Sequence, residues 1–235
     1  MSLVDSKAEE NIHAQLDASF KTVAQKVAML LASEGIHRKA YAENLPHFGL
    51  LSVVQKEDVI QQLSFYADLC QEQMSEGYSL KDSPVFTWRA LQKLGLVPPS
   101  ELFSQITNED IVEVYSAENR QLFRNFNFFE VCSYSLEELH SIEWWNLFQH
   151  DGAITQVIYE NIQKIFKGEM KSSFAPDIEH HHVREACSQD RLLMRYDIRL
   201  MSPLFSQRQP AAFMVLERAT LVNAETAATL SAQPF

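Results

Sequence analysis

The sequence predicts an α+β protein in which an all-helical N-terminal region precedes an antiparallel sheet with helices on one face. Three observations carry that expectation. Apolar residues recur at three- and four-residue steps as far as about residue 106, the period shortens to two further on, and glycines and prolines punctuate the periodic runs.

From Ala8 to Ser33, Ile12, Leu16, Phe20, Val23, Val27, Leu30 and Leu31 fall along one face of a helix that Gly35 stops. Such a stripe packs either on its own domain or on the same helix of a second copy. After a looser segment with Pro46 and Gly49, the run from Lys56 to Glu76 repeats the spacing through Val59, Ile60, Leu63, Tyr66, Cys70 and Met74 and closes at Gly77. Ser83-Pro84 opens a third helix: the serine oxygen can accept from the first exposed amides, and proline tolerates the first helical position. "VFTWRALQKLG" ends it at Gly95, and Pro98-Pro99-Ser100 predicts a further short helix over "SELFSQI".

The stretch "IVEVYSAENRQLFRNFNFFEVCSYSLEEL" begins as a strand, turns, becomes a strand again and ends as helix. Ile154, Val157, Ile158, Ile162 and Ile165 then mark a longer helix with Gly168 beyond its end. Met194, Tyr196, Ile198 and Leu200 alternate with Arg195, Asp197 and Arg199, the pattern of a strand with one face buried. "AAFMVLERATLV" is a second such strand, and "SPLFSQRQP" between them reads as a loop because of Pro203 and Pro210. The expected organisation is a helical region over 1–106, an α+β domain over 107–222 and a C-terminal tail over 223–235.

Composition narrows the function. The formal charge is −11, with acid in excess in both halves, and the best basic cluster, Arg191, Arg195 and Arg199, is interrupted by Asp190 and Asp197. Without a basic face there is little to displace phosphate counterions, so nucleic-acid binding is not expected. No apolar run is long enough to span a bilayer, and "MSLVDSKAEENIHAQ" has no secretory apolar core, so a cytoplasmic protein is expected. Cys70, Cys132 and Cys187 are odd in number and have no C-x-x-C spacing, which predicts free thiols. No nucleophile elbow, phosphate loop or H-E-x-x-H is present, so catalysis is not expected. Glu137-Glu138 read as a solvated helix start capped by Ser135.

Residues from Ile111 to about Val222 resemble a PAS domain. The resemblance lies in "IVEVYSAENRQLFRNFNFFEVCSYSLEEL", with Asn125 opening the first helix and Cys-Ser-Tyr-Ser standing where "tGYs" is usual. It continues in "WWNLFQHDG" ahead of the long helix and in "MRYDIRLMSPLF" and "PAAFMVLERATLV" as the last two strands. Ser133 departs from the usual glycine, "KSSFAPDIEHHHVREACSQD" is longer and more polar than the usual third strand, and the helical part before about Ile106 matches no family.

The resemblance implies five antiparallel strands curled around a small cavity walled by the long helix, in a sensory or regulatory module that commonly dimerises through flanking helices. Candidate ligand contacts are Trp145, Phe148, Ile158, Tyr159, Ile162, Met194, Tyr196 and Ile198. The ligand expected there is small and apolar or amphipathic; alternatively the domain is a ligand-free interaction and dimerisation module. No cofactor is assigned: "SIEWWNLFQHDGAITQ" lacks the cysteine of the flavin photosensors, and the long helix lacks the histidine of haem members, leaving His150 as a structural surface residue. On a strand, His180 and His182 share one side, the arrangement of a metal pair with Glu179 or Asp177 completing the shell, but two ligands are too few for a structural zinc site, and a polar loop or edge strand is the expected role of "EHHHV". The dense aromatics Phe123, Phe126, Phe128, Phe129, Trp144, Trp145 and Phe148 are expected mainly to fill core. No recognisable output unit follows Val222, so the signal is expected to pass by contact, through a homodimer formed by the N-terminal helix or through a protein partner, unless the chain belongs to something longer.

Overall fold

The computed structural model describes residues 3–118 and 120–222, with side chains from Glu10 onward; the expected tail 223–235 lies outside the described residues. The chain divides into two compact units that do not follow chain order. One holds the described residues up to Ser79 together with Tyr134–Trp144, and the other holds Leu80–Ser133 and the described residues from Trp145 onward.

The first unit is helical. α1 (Leu3–Ser33) packs along α2 (Val53–Ser75). Asp17 meets Lys56 near the start of α2, and Glu34 meets Ser79 beyond its end, so the two helices run in the same direction. The connection between them must therefore travel back, which explains its length. Phe48 in that return stacks on Phe20 of α1 at 4.1 Å, and the buried Lys56 ammonium lies 5.0 Å from the Phe48 ring centroid. The stripe on α1 is spent mainly within the unit: Phe20, Val27 and Leu31 are buried, while Ile12 stays exposed. α5 (Leu136–Ser141) belongs here too, entered through a capping box in which the Ser135 hydroxyl accepts from the Glu138 amide. Glu137 is not solvated as expected. It is fully buried, and its carboxylate accepts the backbone N–H groups of Ala42, His47 and Phe48, so it holds the returning segment in place.

The second unit is a curled, fully antiparallel sheet of six strands in the order β2-β1-β6-β5-β4-β3, not five. The strands are β1 (Ile111–Ser116), β2 (Gln121–Arg124), β3 (Phe148–Gln149), β4 (His181–Glu185), β5 (Leu193–Ser206) and β6 (Gln209–Leu221). The additional one, β3, has two residues, too short for any alternation to register in the sequence. The segment over 202–210 is strand rather than loop: β5 runs through Pro203 to Ser206, and β6 starts at Gln209. Pro203 and Pro210 pair with Phe213 and Phe205, beside a register shift, and the reversal is made by Gln207 and Arg208 alone, both at positive φ.

Helices cover both faces of this sheet. α3 (Ser83–Leu94) places Phe86 at 5.5 Å from Phe123 of β2, on the side shared by Val112, Val114, Met214 and Leu216. α4 (Asn127–Val131) and α7 (Gly152–Phe166) take the other side, where Phe166 meets Phe213 edge-on and Phe128 lies against Arg124; α6 (Trp144–Leu147) leads into β3. The cap of α3 is Asp82, one residue before the expected serine: its carboxylate accepts from the Val85 amide. The "SELFSQI" segment makes only a single 3-10 turn over Phe103–Gln105. Asn125 lies ahead of α4 instead of opening it, and its buried amide bridges Ser83, Asp110 and Val112. Cys70 and Cys132 are buried free thiols, whereas Cys187 is exposed. No helix among the described residues is long and apolar enough to cross a membrane.

Candidate ligand site on the sheet

Every residue of β1 from Ile111 to Tyr115 is buried, because both faces of the sheet are covered. Strand alternation puts Val112 and Val114 toward α3 and sends Ile111, Glu113 and Tyr115 to the α7 side. A glutamate at the middle of a doubly buried strand needs partners. Glu113 has two: directly across the ladder, Arg124 Nε lies 2.6 Å from its Oε1, and the Tyr115 hydroxyl donates to Oε2 at 2.6 Å. Gln121 donates in turn to the Tyr115 oxygen, and the Arg124 guanidinium stacks over the Phe128 ring at 3.6 Å. The arginine is thus held by a carboxylate and an aromatic face together.

β6 extends the polar row. Glu217, opposite both Ile111 and Ile198, faces the α7 side with 6% of its surface exposed and has no hydrogen-bond partner among the described residues. Burial first, and the neighbouring Glu113 charge second, push its carboxyl well above the usual range despite the opposing Arg124. Tyr196 of β5 follows, diagonal to Glu217; it too is 6% exposed, and its hydroxyl has no partner among the described residues. Burial, then Glu217 and Glu113, raise its phenol well above the ordinary value, as burial and Glu113 do for Tyr115. Both phenols stay neutral donors.

At the far edge, His181 of β4 pairs with Tyr196 and its ring lies 6.2 Å from both Tyr196 and His150. His150 is not a surface residue: both its ring nitrogens are buried, and burial, reinforced by His181, holds its imidazole down to about 4. His181 is lowered chiefly by burial as well. Within "EHHHV" the inward residue is therefore His181. His180 precedes the strand and is exposed, and His182 pairs with Arg195 on the other side; among the described residues no group of three His, Cys, Asp or Glu is placed to hold a metal ion.

The residues expected from the sequence fall into two groups. Met194, Tyr196 and Ile198 are buried on the α7 side of β5, and Phe148 is buried at the start of β3 with its ring edge-on to Phe128. Ile158 and Ile162 are half-buried on α7, while Trp145 and Tyr159 are exposed at 48% and 39%. On α7 only Asn161 and Ile165 are fully buried, which leaves much of its apolar stripe only partly covered. Glu113, Tyr115, Arg124, Glu217 and His181 were not among the expected contacts. The available signal was a charge within an apolar strand, "IVEVY" and "FMVLER". Such a residue is either exposed by a strand edge or kept inside for a reason.

No family model matches the chain, and no curated protein matches it either.

Proposed function

We propose that this chain is a signalling or regulatory protein whose second half is a PAS-like sensory domain. It binds a small amphipathic ligand against the α7 side of its sheet and relays occupancy through the flanking helices. The observation that supports this reading is the buried polar row Tyr115–Glu113–Arg124–Glu217–Tyr196, set in the same face as Met194 and Ile198. A sheet whose only task is packing gains nothing from these groups. A buried ion pair is near neutral for stability, and burying a second carboxyl beside it to 6% exposure costs desolvation. Groups driven this far from their ordinary titration ranges cluster at functional sites.

Apolar side chains of β5 and α7 beside a few polar tips make the composition of a small-molecule site. Switching follows if the ligand binds two arrangements of α7 with different affinity.

The test is a thermal-shift panel of small cationic, neutral and anionic compounds, read alongside native mass spectrometry. A ligand that raises Tm and is carried into the gas phase, and is lost on Ile198→Trp, is the expected outcome. A bare chain throughout, with no compound shifting Tm, ends the sensor reading. The competing reading is a ligand-free docking module, favoured by the exposed Ile12 and Met29 on α1. For that reading, light scattering of the full chain gives a dimer mass, and Ile12→Glu with Met29→Glu returns it to the monomer mass.

A further inference from the structure

Which chemical class the sheet site takes follows from an inventory of its charges, and rests on the sensor reading above. On this side β1, β2 and β6 carry two carboxylates, Glu113 and Glu217, and one guanidinium, Arg124, while β4 adds the buried Glu185, whose oxygens accept from the Ser133 and Ser188 hydroxyls and the Ser133 and Leu192 amides. Arg124 is committed to Glu113 at 2.6 Å and to the Phe128 face at 3.6 Å, and the second Glu113 oxygen is taken by Tyr115. The other titratable neighbours are Tyr196 with Cys132 near it and, beyond them, His181 with His150 and Asp151 near it. An anionic ligand would find no uncommitted cation here, and the Glu113 charge lies on the same face. What is left open is a carboxyl and a phenol hydroxyl, both about nine-tenths buried or more and both without a hydrogen-bond partner among the described residues.

Ala219 lies directly opposite Tyr196 and two residues from Glu217, so the strand position beside these two tips carries only a methyl group. We propose that this is a recognition site for a small organic ammonium ion, with Glu217 as its counter-ion, the Tyr196 ring and hydroxyl beside it, and the alkyl part lying on Met194 and Ile198. A desolvated carboxyl favours a cation that brings its own hydrogen-bond donors, and an aromatic face adds to the attraction. Without ligand the carboxyl holds its proton more tightly than usual, because burial and then Glu113 disfavour its charge. When the ammonium enters, the carboxyl proton leaves to solvent and the carboxylate pairs with the cation. No covalent bond in the ligand changes.

Three probes sharing one carbon skeleton separate the alternatives: n-butylammonium, n-butanol and butyrate. Isothermal calorimetry near neutral pH in buffers of different ionisation heat is expected to show n-butylammonium binding with release of about one proton. Glu217→Gln abolishes the proton release and weakens binding by about tenfold or more. Ala219→Leu blocks binding while leaving Glu217 in place. Tighter binding of n-butanol or butyrate would overturn the ammonium assignment and leave the sensor reading standing. Binding of n-butylammonium without proton release, or unchanged in Glu217→Gln, overturns it too, as does binding of none of the three, in which case the sensor reading rests on its own wider panel.

Discussion

A carboxylic acid held neutral inside a sheet makes the folded state less stable as pH rises. For Glu217 the folded-state pKa lies above the unfolded one, so above the ordinary carboxylate range the native chain holds a proton that the unfolded chain has released, and stability falls toward alkaline pH. Glu217→Gln keeps the shape without that proton. Urea unfolding should find the variant more stable at neutral and alkaline pH, with the difference vanishing in acid. A stabilising change at a proposed binding residue is the signature of a group retained at the expense of the fold. His150 has the opposite sign. Its imidazole is held down to about 4, so between 6.5 and that value the unfolded chain binds the extra proton and stability falls as pH falls. Urea melts should show a loss on the order of 2 kcal/mol across that interval, absent in His150→Gln.

Among the elements, those governed by local rules agree most closely with expectation. Gly35, Gly77, Gly95 and Gly168 all stand at positive φ just past a helix, where the missing side chain is what permits the conformation. At Gly95 the N–H bonds back to Leu91 and Gln92, and Leu96 closes onto Leu91, which ends α3. The β5–β6 turn is the opposite case. Two-residue reversals of this kind normally carry Asn-Gly, and Gln207 and Arg208 give no such sign because long antiparallel pairing on either side forces them there. They bear the strain of a left-handed backbone, so Gln207→Asn with Arg208→Gly should raise stability by roughly 1 kcal/mol, measured by thermal melting, with the sheet unchanged.

At the scale of the whole chain, contacts distant in sequence decide the architecture. α3 reads as a continuation of the helices before it, yet Phe86 packs at 4.7 Å from Phe126 and 5.5 Å from Phe123, so it is part of the sheet's core. A fragment over 107–222 would leave Phe123, Val112, Val114, Met214 and Leu216 uncovered. It should aggregate or bind a hydrophobic dye, while a fragment over 80–222 should stay markedly more soluble; within the full chain, Phe86→Ala should cost about 3–5 kcal/mol.

By itself the sequence determined the helix spacing, the glycine stops, the Ser135 cap, the alternation along β5 and the acidic, glycine-poor composition, all of them properties of near neighbours along the chain. Only the tertiary structure decided that Glu137 is an anchor, that His150 and His181 share one buried edge, that a sixth strand completes the sheet, and that Glu113, Arg124, Tyr196 and Glu217 form one row. The reason is physical. A charged residue in a strand looks the same on paper whether water or a second layer covers it, and its meaning is set by which strand lies across the ladder and which helix lies above.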